Sequence, residues 1–154
     1  ERMSAKVAQA TDELLMNAIF DAPRDATGKQ TRILTDRKAG FDLTAPKDTV
    51  EIECVATAEM FGICATDRHG TLLPQVLLKY VSRNYVHKEY TPRKTDPGAG
   101  LGIYGIVQSG LSLVYWIKPG ERTDAVLLIP RIKSYKAFRS GFQVIGCFQE
   151  PKAS

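Results

Sequence analysis

Apolar residues near the start of the chain recur at steps of three and four, from Val7 through Leu14 to Ile19. The spacing predicts an amphipathic helix that Pro23 ends. A second helical stripe runs over residues 73–85, where Pro74 suits the first turn of a helix. A third apolar segment of helix length begins at residue 101 and continues to about residue 109.

Strand patterns occupy the stretches between and after these helices. Residues 50–56, VEIECVA, alternate in polarity, and EMFGICAT follows after a short turn, which predicts an antiparallel hairpin. Two more strands, LSLVYWI and DAVLLIP, flank the turn KPGERT, and FQVIGCF is strand-like near the end. The sum predicts an α+β fold, a two-layer α/β sandwich with helices on one face of a mixed, mainly antiparallel sheet.

The polar segments separate these elements. Residues 24–49 are rich in turn formers, which predicts a loop with one short strand at most. Residues 86–100 combine charges, prolines and glycines without an apolar period, so we expect a lid-like loop over about 68–100 around the second helix.

Length and composition favour a single domain over 1–154, since the chain has 154 residues, 44% hydrophobic and 25% charged. It has neither a membrane-span pattern nor a secretory-signal pattern, so we expect a cytoplasmic protein without a membrane segment. Because a helical pattern follows Glu1 almost at once, we expect a fragment of a longer chain.

Charge and cysteine content narrow the partner classes. The net charge is +4, but the basic residues are scattered and no aromatic-rich basic motif accompanies them, so we expect no nucleic acid partner. The three cysteines, Cys54, Cys64 and Cys147, lack metal-ligand spacing, and we expect buried free thiols.

Glycines stand at every second position, Gly98, Gly100 and Gly102, directly before the third helix. Bare backbone at a helix N-terminus can bind an anion such as phosphate. A hinge at the helix entry is the alternative. A dinucleotide-binding βαβ unit is disfavoured, because the glycines follow a long polar loop rather than a strand.

The first helix carries Glu13, Asn17 and Asp21 at intervals of four, which aligns their side chains beside the apolar face. An amide oxygen suits Mg²⁺, and a carboxylate can deprotonate an attacking group. The alternative is a solvated helix edge with no chemical role.

Four motifs in order, ELLMN, ATDRHG, GAGLGIYGI and GERT, resemble those of the histidine-kinase-like ATPase (GHKL) superfamily over about residues 5–131. The similarity is greatest to its bacterial branch of anti-sigma-factor serine kinases and response-regulator-associated ATPases. The resemblance implies ATP and Mg²⁺ as cofactors. It also implies Glu13 as the general base and Asn17 as the Mg²⁺ ligand. Asp67 would accept a hydrogen bond from the adenine amino group.

The resemblance assigns the glycines to closure of the lid over the phosphates and a threonine after the last glycine motif to support of the adenine contact. The nucleotide-binding positions implied besides Asn17 and Asp67 are Gly70, Gly98, Gly100, Gly102 and Thr123. Lys88, Arg93 and Lys94 of the lid are candidates for contact with a triphosphate once the loop closes, and the favoured alternative is that they are solvated loop charges.

Several positions depart from the family pattern. His69 and Thr71 replace the two glycines of the motif after Asp67, where a side chain could crowd the base. Asp21 stands where the family often has a basic residue, and Arg122 replaces a common glycine. These departures predict weakened or altered nucleotide binding.

The sequence thus predicts an ATP-binding signalling domain that transfers the γ-phosphoryl group to a serine, threonine or histidine of a partner protein. The alternative is a catalytically degenerate module that keeps the fold and binds a signalling partner, such as an anti-sigma-type regulator. A structural domain without nucleotide is a third reading. The family analogy also allows a homodimer.

Overall fold

Five strands form one mixed sheet in the order β1-β2-β4-β3-β5. The computed structural model describes residues 2–32, 45–86, 101–132, 134–139, 141 and 143–151. The strands are β1 (Glu51–Ala56), β2 (Met60–Asp67), β3 (Ser112–Lys118), β4 (Arg122–Pro130) and β5 (Ile145–Gln149). Only the β3–β5 pair is parallel, which confirms the predicted mainly antiparallel sheet.

The helices are α1 (Arg2–Met16), α2 (Pro74–Val86), α3 (Leu101–Ser109) and α4 (Tyr135–Arg139). A π-helical turn, Asn17–Asp21, continues α1, and the N–H of Ala22 closes it on the carbonyl of Asn17 at 2.9 Å. Such widened turns often occur at functional sites because they reorient the side chains that follow. Here the turn lies within the polar stripe of the first helix.

The core lies between the helices and one face of the sheet, as the alternation in the strands predicts. Residues of α1, α2 and α3 pack there against every second residue of β2, β3 and β4. The most deeply buried side chains are Leu14, Leu77, Ile106, Leu111, Leu113, Ile117 and Leu127. The predicted α/β sandwich is therefore confirmed.

The opposite face of the sheet is open over much of its area in the described part of the chain. Trp116 of β3 and Phe148 of β5 stack there with ring centroids 5.6 Å apart, and about half of each side chain is exposed. The indole N–H of Trp116 donates to Glu150 at 2.9 Å.

The expectation of buried thiols is wrong for Cys54, which is exposed. Its strand, β1, is an edge strand paired only with β2, and every residue of β1 is exposed, so alternation alone did not reveal its environment. Cys64 and Cys147 are partly buried, and burial raises the pKa of each thiol. All three cysteines are free.

Two stretches differ from the expected elements. The short helix α4 was not anticipated, because five residues are too few to display a helical period. In the segment between α1 and β1, the structure has an isolated bridge between Arg24 and Gln30 and a 3-10 turn, Pro46–Asp48.

None of the described helices combines the length and apolarity needed to cross a membrane.

The turn after β2 is fixed by Gly70, which has φ +58°. A side chain there would overlap the carbonyl oxygen of Lys118 and lie 2.7 Å from the backbone nitrogens of Glu121 and Arg122. The N–H of Gly120 also donates to the Gly70 carbonyl at 3.0 Å. The turn after β2 and the β3–β4 turn are thus joined at a point where only glycine fits.

We predict that Gly70→Ala lowers the free energy of unfolding by about 3 kcal/mol, because strained backbone and overpacking add. Gly28→Ala is the matched control: φ there is +82° with no atom within 4 Å of the added carbon. It should cost only about 1 kcal/mol. Urea unfolding of both variants measures the difference, and equal losses would contradict the close approach.

Candidate functional site

A cavity of about 230 Å³ opens between α1 with its π-helical turn, the sheet and the segment that leads into α2. Its walls are mainly apolar, with a few polar side chains among them. The lining residues are Leu14, Asn17, Ala18, Asp21, Ala22, Arg24, Gln30, Ala65, Asp67, Thr71, Leu72, Val76, Ile103, Tyr115, Thr123 and Ala125. Apolar walls with few polar groups are typical of small-molecule sites.

The helix side of the cavity carries the polar stripe predicted from the sequence. Asn17 and Asp21 both line the cavity. Glu13, one turn earlier, lies against the backbone of Gly102 in α3, since a side chain at Gly102 would overlap the Glu13 carboxyl group. The first helix motif and the last of the three motif glycines, 89 positions apart in the sequence, therefore meet in space.

Asp67 ends β2 and is 7% exposed, with its carboxylate in the cavity wall. Its Oδ1 accepts the backbone N–H groups of His69 at 2.8 Å and of Gly70 at 3.1 Å. Burial nevertheless raises the pKa of Asp67, because desolvation outweighs the stabilisation from these two donors. The residue is a buried acceptor that faces a cavity.

Thr123 lies directly opposite Asp67 in the β2–β4 register and is 3% exposed. Its hydroxyl is near enough to lower the pKa of the Asp67 carboxyl, yet it forms no hydrogen bond of ordinary geometry with a described group. The buried amide nitrogen of Asn17 likewise has no partner in the described residues. Buried polar atoms are normally paired, so these two atoms suit a polar ligand in the cavity.

His69, expected to crowd the base, is not among the residues that line the cavity. Its Nε2 lies 3.7 Å from Oδ1 of Asp48, which also pairs with Arg32 at 2.7 Å. Burial lowers the pKa of His69 despite the nearby acids, so the imidazole is neutral at pH 7. Thr71 does line the cavity, and its hydroxyl donates to the Ala22 carbonyl at 2.6 Å.

Around the cavity, the structure brings together five of the predicted site residues: Glu13, Asn17, Asp67, Gly102 and Thr123. Gly70 packs on the β3–β4 turn instead of lining the cavity. Gly98 and Gly100 lie outside the described residues, as do Lys88, Arg93 and Lys94. Arg122 directly precedes the lining residue Thr123 but does not itself line the cavity, and its side chain pairs with Asp124 at 3.2 Å.

Sequence reasoning missed three polar residues of the wall: Tyr115, Arg24 and Gln30. Tyr115 lies in β3 and is 4% exposed; its pKa is raised by burial first and by the charge of Glu13 second. The alternation of polarity in LSLVYWI could have indicated that Tyr115 faces inward. Arg24 and Gln30 lie in a segment without an apolar period, so only the structure, which pairs them in a bridge, reveals their position.

No family model matches the chain, and no curated protein matches it either. The chemistry of the cavity, and the meeting around it of residues that are far apart in the sequence, are the features that bear on function.

Proposed function

We propose that the chain is an ATP-binding signalling domain of the histidine-kinase-like superfamily, with the nucleotide in the cavity between α1 and the sheet. The observation that carries this proposal is the convergence of Asn17, Asp67 and Thr123 on one apolar cavity beside the Glu13–Gly102 contact. The motif order of the sequence assigns these same residues to one nucleotide site.

The Asp67 end of the cavity suits an adenine base. A buried carboxylate accepts a hydrogen bond from the exocyclic amino group of adenine, whereas guanine presents a carbonyl oxygen at the same ring position and would be repelled. The Thr123 hydroxyl can complete the polar contact to the base. Leu14, Ala18 and Ile103 supply apolar walls for its ring.

The size of the cavity indicates which part of a nucleotide it encloses. About 230 Å³ is below the usual range of about 300–1,000 Å³ for sites that enclose a drug-sized ligand. The base and ribose would be enclosed, and the phosphates would extend past Asn17 toward α3. The first N–H groups of an α-helix have no partner within the helix, so the N-terminus of α3 would favour anions.

Asn17 fits the Mg²⁺ role. The described residues include no cluster of three or more His, Cys, Asp or Glu side chains able to hold a metal ion. Mg²⁺ that accompanies a nucleotide needs only one or two protein ligands, because phosphate oxygens and water supply the rest. When bound, the ion would neutralise phosphate charge, and the amide of Asn17 would help to hold it.

Glu13 would act as the general base for phosphoryl transfer. It would accept the proton of the acceptor hydroxyl while the acceptor oxygen forms its bond to the γ-phosphorus and ADP leaves. The acceptor belongs to a partner protein, and because ATP is supplied in the cytoplasm, the proposal includes a cytoplasmic location. The proposal that the domain forms a homodimer comes from the same family analogy.

One observation favours a second candidate, a catalytically degenerate module that binds a signalling partner. Asp21 lines the cavity where the family often has a basic residue, and a carboxylate there repels phosphate. A domain with this substitution would keep the fold while losing affinity for the triphosphate.

We predict that calorimetry detects Mg·ATP binding in the micromolar range and weaker binding of Mg·GTP. Asp67→Asn should weaken ATP binding by about tenfold or more. The side chain loses its negative charge and one acceptor oxygen, so the hydrogen bond from the adenine amino group is weakened or lost. The variant should fold, since its Oδ1 can still accept the N–H groups of His69 and Gly70.

Gly105→Ala in α3 is the control, as a carbon added there meets no atom within 4 Å. It should bind ATP as the parent does. No heat and no thermal shift at millimolar ATP would instead favour the partner-binding module.

A separate prediction concerns turnover. Without a partner, water takes the place of the acceptor hydroxyl and Glu13 accepts its proton. Glu13→Gln should therefore lower the rate of single-turnover phosphate release from ATP by about a hundredfold, with binding preserved. Gly102→Ala should also lower the rate, because its methyl group displaces the Glu13 carboxyl group, whereas Gly105→Ala should not. Unchanged turnover in Glu13→Gln would remove its assignment as the base.

A further inference from the structure

A structured turn over residues 24–30 forms one rim of the cavity. Asp25 organises it: Oδ1 accepts the N–H of Thr27 at 2.8 Å, the hydroxyl of Thr27 at 2.6 Å and the N–H of Lys29 at 3.1 Å. The N–H of Gly28 donates to the Asp25 carbonyl at 2.9 Å, with Gly28 at φ +82°. The turn is therefore held in one shape by its own hydrogen bonds.

The two ends of this turn, Arg24 and Gln30, are paired as an antiparallel bridge, and both side chains line the cavity. The amide nitrogen of Gln30 donates to the carbonyl of Asp21 at 3.3 Å. Nη1 of Arg24 donates to the carbonyl of Gly28 at 2.8 Å. Each side chain thus has one polar contact that orients it, and further hydrogen-bonding groups remain for a ligand.

A hydrogen bond connects the chain just before this turn to the segment that follows the Asp67 turn. Ala22, two residues before the turn, accepts the hydroxyl of Thr71 at 2.6 Å. Thr71 directly follows the turn in which the Asp67 carboxylate accepts two backbone N–H groups. A base that bonds Asp67 would share the cavity with Arg24 and Gln30, since all three residues line it.

Arg24 contributes the one positive charge among the described residues that line the cavity, where Asp21 and Asp67 are acidic. A guanidinium group is planar, always charged and weakly hydrated, so it stacks on aromatic rings where a lysine does not. The other apolar residues of the wall are aliphatic, apart from Tyr115 of β3.

We propose that the Arg24–Gln30 rim binds the nucleoside part of the nucleotide, with the Arg24 guanidinium over the open face of the base and the Gln30 amide oxygen on the ribose hydroxyls. This inference depends on the proposed nucleotide site and adds to it a contact outside the four sequence motifs. The contact is to the base and the ribose, which adenosine and ATP share, so it acts on both ligands.

The test compares binding of adenosine and of Mg·ATP to the parent chain, Arg24→Ala, Arg24→Lys and Lys29→Ala. Lys29→Ala is the matched control, because it removes a positive charge from the same turn at a side chain that does not line the cavity. Arg24 is exposed, so its variants should keep the melting temperature of the parent.

We expect Arg24→Ala to weaken both ligands by the same factor of about ten. Arg24→Lys should recover only part of this loss, and Lys29→Ala should bind within about twofold of the parent. Loss of ATP affinity without loss of adenosine affinity would overturn the inference in favour of a phosphate contact. Parent-like binding by Arg24→Ala, or an equal loss in Lys29→Ala, would also overturn it.

These outcomes are separable from failure of the proposed function. If the parent chain binds neither ligand, the nucleotide site itself is wrong, and the Arg24 contact falls with it. If the parent binds ATP and Asp67→Asn weakens it while Arg24→Ala does not, only the rim contact is wrong.

Discussion

The buried carboxylate of Asp67 is the constraint on which the site depends. A carboxylate that is 7% exposed loses hydration, and the N–H groups of His69 and Gly70 offset only part of that cost. The same two bonds shape the turn after β2, which brings Gly70 onto the β3–β4 turn beside the start of β4. Thr123 consequently stands opposite Asp67. A carboxylate retained at such a cost is typical of a site whose function needs it.

Charge balance is a requirement of the proposed nucleotide site, because acidic side chains outnumber basic ones in and beside the cavity. Asp21 and Asp67 line the cavity and Glu13 adjoins it, so a polyphosphate alone would be repelled. A divalent cation on Asn17 would supply the opposing charge at the phosphates, and the guanidinium of Arg24 would lower the net negative charge beside the base. The same balance decides between the two candidate functions: without effective cations, the fold remains and the domain would act only through its surface.

The repeating elements of the fold were predictable from the sequence, because β2, β3, β4 and α1 bury one side and expose the other. The exposure of Cys54 was not, since a strand pattern does not specify which strand lies at the edge of a sheet. The resemblance to the superfamily assigned Glu13, Asn17 and Asp67, and the structure brings them to one region. The orientation of His69 toward Asp48 and the rim at Arg24 depend on long-range packing, which periodicity does not encode.

The most direct measurement is an amide NMR titration of the chain with Mg·ATP. We predict saturable shifts concentrated at His69, Gly70, Thr123 and the Asn17 turn, with unchanged resonances on the Trp116 face of the sheet. Both His69 and Gly70 donate to the carboxylate that would receive adenine, so their amides report on the base directly. An unchanged spectrum at millimolar ATP, or shifts confined to the Trp116 face, would contradict a nucleotide site in this cavity.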